Sequence, residues 1–407
     1  MGSRLSSTWY LTYFPSGIAL GILSVLAPLY LVEELGGSLL DLGLMTSAST
    51  IILIPASIYF GRLPDRYGRS KPFILASYLV AGIVLFLMST TRNVFAFQML
   101  YVLMNLANSL RGPSISILIA ESYERTVWGK TMARRNFMES LAQALGLGIC
   151  TFTTGFLSYG TLLSMTPPLV FASLLIAFFA IRDPPIHIER FLARVENPVE
   201  DLETLSFHMT SRGGISKPRH GSLRWGEAPK MSLFGVGMTL FTLAASNAFT
   251  SLPIYMRNKA NFSPSEVFGI FFIRSLVSTF SYLIVSSIVG KSGGGAVKTA
   301  TTARAILVIL FSVIPVIAKP FSILLALVLL SLIAFSWSLY SLGTDVVTVQ
   351  YAASGRLGVY DAMASLGSSA GGFIGGAMPE IIGFGPLFVI SSLLFLSALF
   401  SFITSRV

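Results

Sequence analysis

Hydrophobic and polar residues follow one another along this chain in long blocks. Twelve blocks of about 18–33 mostly apolar residues are separated by short polar segments and by one long one. A helix rising 1.5 Å per residue needs roughly 20 residues to cross the hydrocarbon core of a bilayer. The strands of a membrane barrel would alternate in hydrophobicity over about ten residues, and these blocks do not alternate. The pattern predicts an all-α integral membrane protein with twelve transmembrane helices.

The predicted helices, numbered 1 to 12 in chain order, are Trp9–Val32, Leu39–Phe60, Pro72–Ser89, Phe95–Glu121, Ala133–Leu157, Leu162–Ile181, Met231–Met256, Ser265–Val289, Thr299–Ala318, Phe321–Ala353, Leu357–Ile382 and Pro386–Thr404. The polar segment 182–230 divides them six and six. Its prolines and glycines are typical of a linker. We therefore expect an N-terminal half (1–181), a cytoplasmic linker (182–230) and a C-terminal half (231–407). Residues 138–146 and 363–371 resemble each other, as expected for two six-helix pseudo-repeats around a central cavity.

Composition narrows the class of protein further. The chain is 53% hydrophobic and 11% charged, whereas soluble domains carry about 25% charged residues. Its net charge of +10 lies in short loops, without the basic stripe and exposed aromatics of a nucleic-acid-binding protein. Cys150 is the only cysteine, and the three histidines lie in the linker segment. We expect no nucleic-acid partner, no metal site, no cofactor and no enzymatic activity.

The distribution of lysine and arginine predicts the orientation in the membrane. With both termini placed inside, 21 of the 28 basic residues fall in inner segments and 4 in outer segments. Basic loop residues favour the cytoplasmic side. Both termini are therefore expected in the cytoplasm of a plasma-membrane protein. Arg111, Arg274 and Arg304 remain within the spans.

A basic hairpin between helices 2 and 3 carries the most specific motif. Residues 61–71 contain, in order, Gly61, Asp65, Arg66, Gly68 and Arg69; Ser70 follows, and then Lys71. This order resembles the signature loop of the major facilitator superfamily, in which a second basic residue stands where Ser70 lies. A solvated basic turn without further meaning is the alternative.

The resemblance implies a fold and a mechanism. Members of this superfamily are transporters whose two six-helix halves alternate in opening a central site to either side of the membrane. In them, the acid at the position of Asp65 holds the halves together while the outside is open. The base at the position of Arg69 pairs with the acid that closes helix 4, which is Glu121 here. Alternatively, these charges only keep the loop on the inner side.

Ionisable residues within spans usually face the protein interior. Arg111 lies about 15 Å of helix from Glu121, and Glu139 lies at a similar depth in helix 5. Because the superfamily places helices 4 and 5 side by side, we predict that this arginine and glutamate form a buried pair. Arg274 and Asp345 belong to helices that line the cavity in that fold. Each serves either transport or packing; Arg304, placed near the inner surface, is expected to be structural.

Uncharged polar residues within the spans form a second candidate set. They either bind a ligand near the membrane midplane or join helices by hydrogen bonds. These residues are Asn105, Asn108, Gln143, Asn247, Trp337 and Tyr340.

The resemblance, together with these residues, implies a secondary transporter of a small solute, with proton-coupled efflux or exchange as one mechanism. Glu139 and Asp345 are the candidate proton carriers. Two departures separate the chain from drug–proton antiporters: Tyr101 stands where they carry an arginine, and helix 5 has no proline. A uniporter, an organic-anion transporter without proton coupling and a non-transporting receptor remain alternatives. The expected partners are the solute and membrane lipid, for a monomeric protein.

Overall fold

A computed structural model describes residues 7–67, 69–123, 128–183, 230–289, 293–351 and 357–406. Within these ranges the regular structure is helical throughout. The predicted linker at 182–230 lies almost wholly outside the described residues, so its boundaries stay a prediction.

The helical segments group into twelve spans, as the hydrophobic blocks predicted. In the first half they are α1 (Tyr13–Leu29, with a 3₁₀ turn Ser7–Thr12 before it and a π turn Tyr30–Glu34 after it), α2 (Leu39–Ile51 and Leu53–Tyr67), α3 (Lys71–Thr90), α4 (Val94–Ser122), α5 (Trp128–Thr153) and α6 (Tyr159–Ser164 and Thr166–Ala180). In the second half they are α7 (Met231–Phe249 and Leu252–Asn258), α8 (Pro264–Val289), α9 (Gly293–Ile309, then a 3₁₀ turn Leu310–Val316), α10 (Lys319–Tyr351), α11 (Leu357–Ile382) and α12 (Phe384–Thr404).

Two helices begin earlier than hydropathy indicated. The helix α5 starts at Trp128 rather than at Ala133, and α9 starts at Gly293 rather than at Thr299. Both first turns carry basic or small residues, which a hydropathy window assigns to loops although they continue the helix. Arg304 therefore lies about 16 Å of helix from the start of α9. Its placement near the inner surface was wrong.

Within the described residues, nine helical stretches are long and apolar enough to cross a membrane by composition alone. The spans α4, α5 and α11 do not meet this criterion. Each of them carries charged residues together with serine, asparagine or glycine. Two of these polar spans, α4 and α5, supply half of the candidate site residues: Asn105, Asn108, Arg111, Glu139 and Gln143.

The same close contact between a glycine and the backbone of a neighbouring helix occurs in each half. In the first half, a Cβ atom on Gly146 of α5 would collide with the backbone of Ile18 in α1. In the second half, Gly371 of α11 lies equally close to the backbone of Leu243 in α7. Ile18 and Leu243 are separated by the same number of residues as Gly146 and Gly371. The weak sequence repeat therefore corresponds to equivalent helix contacts in the two halves.

The two halves meet through α2 with α11 and through α5 with α8. We call the end with Arg69–Lys71 and both termini the signature end, and the end with Gly36–Ser38 the far end. At the far end, Gly376 lies against the backbone of Gly43, and the Glu380 carboxylate accepts the backbone N–H of Leu40 at 2.8 Å.

The remaining hydrogen bonds between the halves lie at the far end or at mid-depth. Thr154 and Ser265 share a hydroxyl hydrogen bond of 3.0 Å at the far end. Ser47 and Ser369 share one of 2.9 Å about 12 Å of helix further in. Nearer the signature end, the rings of Phe137 in α5 and Phe280 in α8 lie 6.4 Å apart between centroids.

Candidate functional site

Two arginines share one glutamate between α4 and α5. The Glu139 carboxylate lies 3.6 Å from Nη2 of Arg111 and 3.8 Å from Nη2 of Arg135. Charge-assisted hydrogen bonds of this kind measure about 2.7–2.9 Å, so both contacts are loose. The structure thus brings together Arg111 and Glu139, which the sequence pointed to. We call Arg111, Arg135 and Glu139 the guanidinium cluster.

Aromatic rings of the first half surround this cluster. The guanidinium of Arg111 lies 5.4 Å from the ring centroid of Tyr13 and 5.0 Å from that of Tyr78. The guanidinium of Arg135 lies 5.0 Å from the same Tyr13 ring. A desolvated cation over an aromatic face gains about 2 kcal/mol. These rings lower the cost of burying Arg111, which is 5% exposed.

Close packing of α1 on α5 brings the Tyr13 ring into place. Gly17 of α1 lies against Ala142 of α5, and Gly21 lies against the backbone of Gln143. Without side chains at these glycines, the two helices approach closely. The tyrosine one turn earlier on α1 then reaches the two guanidiniums. Tyr13 is fully buried, and its hydroxyl has no hydrogen-bond partner among the described residues.

The second half holds a different buried arginine. Arg304 of α9 is 2% exposed, and its guanidinium donates to Oγ of Ser336 at 3.1 Å and to the carbonyl of Ile333 at 3.2 Å. No carboxylate in the described ranges lies within ion-pair distance of it. Four aromatic rings lie within 6.0 Å of the guanidinium: those of Phe241, Phe249, Trp337 and Phe395.

The arginine and one of its aromatic partners occupy swapped positions in the two halves: where one half has the arginine, the other has the aromatic residue. In the first half the cation is Arg111 of α4 and a ring is Tyr78 of α3; in the second half the cation is Arg304 of α9 and a ring is Trp337 of α10. Tyr78 and Arg304 are separated by the same number of residues as Arg111 and Trp337. Only the first-half cation has a carboxylate beside it, which makes the site asymmetric.

The second half also contains two aspartates near each other, on α10 and α11. Asp345 of α10 and Asp361 of α11 are both exposed and lie close enough to interact electrostatically. Tyr282 of α8 also lies within electrostatic range of Asp345. Sequence analysis singled out Asp345 but not Asp361, although an acid five residues into an apolar block was a usable signal. Arg274 of α8 is partly buried, over the ring of Phe271 at 5.8 Å.

The uncharged candidates mostly bond within their own half. Asn247 is fully buried and donates to Oγ of Ser391 at 2.9 Å, which favours its role in joining α7 to α12. The amides of Asn105 and Asn108 donate to atoms one turn earlier on α4. Gln143 is partly buried beside α1, and the Tyr340 ring stacks on Phe241 at 3.5 Å between centroids.

The signature loop is fixed at its second half by a residue that sequence analysis did not single out. The Asp183 carboxylate accepts the backbone N–H groups of Ser70 and Lys71 at 3.0 and 2.8 Å. This contact ties the end of the first half to the start of α3. Arg69 is exposed. The side chains of Gly61, Asp65, Arg66, Gly68 and Glu121 lie outside the described residues, so their gating role stays a prediction.

A charged latch joins the two halves at the far end. Nε and Nη2 of Arg257 in α7 donate to the two carboxylate oxygens of Glu33 at 2.9 and 3.1 Å. The Tyr159 hydroxyl donates to the same carboxylate at 3.1 Å, and Nη1 of Arg257 donates to the carbonyl of Phe262 at 2.7 Å. We call Glu33 and Arg257 the far-end latch. A bidentate geometry of this kind combines strength with directional specificity.

Metal chemistry receives no support from this arrangement. In the part of the chain that the structure covers, no group of three or more histidine, cysteine, aspartate or glutamate side chains is placed to hold a metal ion. The ionisable residues instead form a cationic cluster within the first half and an acidic pair on α10 and α11 of the second half. Such regions can bind and orient a charged or polar solute.

Solved structures show that the whole chain adopts a known fold. The nucleoside transporter NupG matches with a TM-score of 0.72 at 13% identity, covering 99% of each chain. A D-xylose-proton symporter matches with a TM-score of 0.72 at 12% identity, covering 97% of this chain and 96% of its own. The human organic anion transporter MFSD10 matches with a TM-score of 0.65 at 17% identity, covering 98% of this chain and 99% of its own.

At such identities these likenesses show the fold alone. No curated protein sequence gives a significant match to the chain. The family model described as Major Facilitator Superfamily matches residues 9–356, which is most of the chain and includes the signature loop. The protein therefore belongs to the Major Facilitator Superfamily, as the order of residues in that loop indicated.

Proposed function

We propose that this protein carries a small solute across the plasma membrane by alternating access, as a secondary transporter. The observation that carries the proposal is the combination of two helical halves, hydrogen-bonded to each other at the far end and at mid-depth, with ionisable side chains in the spans of both. Such a joint leaves each half free to rock about the site. The guanidinium cluster on one side and Asp345 with Asp361 on the other are the groups that a solute would meet.

The signature end is the cytoplasmic end in this proposal, because it carries the excess of basic residues. With the far end outside, the far-end latch and the Leu40–Glu380 and Thr154–Ser265 hydrogen bonds close the extracellular side. The structure then corresponds to an inward-facing state. The same orientation places both termini in the cytoplasm.

Labelling of introduced cysteines checks this orientation. A cysteine at Ser38 should react with an impermeant maleimide added outside intact cells, whereas a cysteine at Ser206 should react only after the cells are opened. The native Cys150 is buried, so labelling of the protein without an introduced cysteine measures the background. Labelling of the Ser206 site from outside would reverse the proposed topology.

Opposing contacts at the two ends would set the balance between states. The far-end latch holds the extracellular side closed in the inward-facing state. Asp65, by resemblance to the superfamily, holds the cytoplasmic side closed in the outward-facing state. A group that interacts in only one state shifts the equilibrium by its differential free energy.

Substitutions at the two ends should therefore shift the equilibrium in opposite directions. Glu33→Gln should favour the outward-facing state by about 1 kcal/mol, or roughly five-fold, since the latch is partly exposed. Asp65→Asn should favour the inward-facing state and reduce transport. Distances between spin labels at Arg92 and Lys319, on opposite halves at the far end, measure both shifts.

A matched control uses an ion pair at the same end but within one half. Lys319 and Glu266 lie 3.2 Å apart between α10 and α8. In that experiment the second label moves to Gly385, so that Lys319 stays intact. Glu266→Gln should leave the label distances unchanged. If this variant shifted the distances as much as Glu33→Gln does, the shift would come from loss of any charge at the far end and not from loss of the latch.

Proton coupling forms the second part of the proposal. Glu139 lies between two guanidiniums, and a solute that takes over those guanidiniums would leave the carboxylate without its cationic partners. Asp345 has another acid, Asp361, as its neighbour, which favours sharing of a proton. If a proton binds as the solute binds, the two move in the same direction and the coupling is co-transport. Exchange or efflux, the mechanism named from the sequence, requires instead that solute and proton displace each other at the site.

Flux under an imposed pH gradient distinguishes coupling from facilitated diffusion. A screen of labelled solutes in liposomes first identifies one that the purified protein carries without ATP. A pH gradient should then drive uptake in the wild type, and Glu139→Gln or Asp345→Asn should remove the dependence on the gradient. Glu266→Gln should retain it. Flux that ignores the gradient in the wild type would favour a uniporter, and binding without any flux would favour a receptor.

A further inference from the structure

The guanidinium cluster has more positive than negative charge in a confined place. Arg111 and Arg135 contribute two cations, and Glu139 contributes the one carboxylate that the described residues place between them. The side chains of Arg111, Arg135 and Glu139 are 6%, 17% and 20% exposed. An uncompensated charge in such a setting is costly unless a partner arrives. A singly charged anion that takes the place of Glu139 would leave the balance of charge at the two guanidiniums unchanged.

Hydrogen-bonding groups around the cluster remain unused. Nε of Arg135 is buried and has no partner in the described structure, and the same holds for the hydroxyl of fully buried Tyr13. Tyr13 lies within electrostatic range of both guanidiniums and of the carboxylate. Buried polar atoms are satisfied in nearly all protein interiors. The Nε–H of Arg135 can only donate and the Tyr13 hydroxyl can donate, so an acceptor would satisfy both.

The contacts of Glu139 are long enough to be replaced. At 3.6 and 3.8 Å the carboxylate makes no direct hydrogen bond to either guanidinium. An external anion that does make such bonds would compete favourably with it. Glu139 then acts as an internal substitute that compensates one of the two positive charges when no solute is bound.

From these observations we propose that Arg111, Arg135 and Tyr13 bind the anionic group of the transported solute, which displaces Glu139, and that the solute is an organic monoanion. The proposal rests on the transport function proposed above and names its substrate class. Arg135 was not a candidate from the sequence, because it was counted with the basic residues of an inner segment although predicted helix 5 begins two residues earlier, at Ala133. Arg134 is its exposed neighbour and lies 4.9 Å from the ring of Tyr10 instead.

Ligand-induced stabilisation of the purified protein tests the proposal and does not require the natural solute. The probes are benzoate, benzamide and benzylamine, which share a ring and carry charges of −1, 0 and +1. A ligand that binds only the folded protein raises its melting temperature. Benzoate should raise the melting temperature of the wild type by a few degrees, and the neutral and cationic probes should not.

Variants of the cluster should change this response in opposite ways. Arg135→Gln should abolish the benzoate shift, whereas Arg134→Gln should keep it. Glu139→Gln should enlarge it, because the internal competitor is gone; a merely structural role for Glu139 would not produce this gain. The Tyr13→Phe variant, which keeps the ring and removes the hydroxyl, should reduce the shift.

The outcomes separate this proposal from the transport function. An equal response to benzamide, a response retained in Arg135→Gln, or no benzoate response in the folded wild type would each overturn the anion site. A response to anionic phospholipid vesicles alone would assign the cluster to a lipid headgroup and overturn the solute proposal. Liposome flux is scored independently. Flux of a neutral solute without a benzoate response would leave transport standing and refute the substrate class.

Discussion

The Gly376→Ala variant should lose transport almost completely while its two halves remain folded. A Cβ atom at this position would collide with the backbone of Gly43 and with the carbonyl of Leu39. Backbone atoms cannot move aside as a flexible side chain can, so α2 and α11 must separate at the far end. The variant should be held outward-facing, because the closed far end no longer fits.

Other glycines supply matched controls for this variant. Gly371 contacts the backbone of Leu243 within one half, so Gly371→Ala should lower the melting temperature of that half. A Cβ atom on Gly385 would meet no other atom within 4 Å, and Gly385→Ala should change neither property. Label distances at the far end, melting temperature and liposome flux together distinguish these effects. Normal flux in Gly376→Ala would show that far-end closure at this contact is not part of the cycle.

The sequence predicted the fold well because its strongest signals are local. Block length gives the number of spans, and the order of Gly61, Asp65, Arg66, Gly68 and Arg69 gives the family. The limits of α5 and α9 were harder to predict. Their first turns are polar but remain helical, since a helix continues wherever its backbone hydrogen bonds do.

Contacts in the candidate site could be predicted from the sequence only where two residues lie at the same depth in neighbouring helices. Arg111 and Glu139 came together because both lie about 16 Å from the signature end in neighbouring spans. Arg135 was missed because its position near a predicted helix start made it resemble a loop residue. The latch between Glu33 and Arg257 could not be predicted, because it joins span ends from different halves and depends on how those halves meet. The aromatic surroundings of Arg304 likewise depend on packing among α7, α9, α10 and α12.

Substitutions in the guanidinium cluster should lower the free energy of unfolding by unequal amounts, because the cluster has two arginines and one glutamate. Glu139→Gln leaves Arg111 and Arg135 facing the same Tyr13 ring without a carboxylate between them. Breaking a buried pair by removing one partner costs about 3–5 kcal/mol, and this variant should fall in that range. Arg111→Gln should cost less, because Arg135 remains 3.8 Å from the carboxylate.

Double substitution should recover much of the loss. In Glu139→Gln combined with Arg111→Gln, one guanidinium remains over Tyr13, and the like-charge repulsion is gone. The double variant should therefore be more stable than Glu139→Gln alone, with a coupling energy of about 1–3 kcal/mol. Unfolding in mixed micelles with increasing SDS measures the stability of the wild type, of each single variant and of the double variant.

Arg304→Gln paired with Glu139→Gln is the control. Because Arg304 belongs to the other half, the effects of these two substitutions should be additive. Additivity for the Arg111 pair as well would mean that the 3.6 Å contact contributes nothing to stability, and the cluster would then lose its electrostatic explanation.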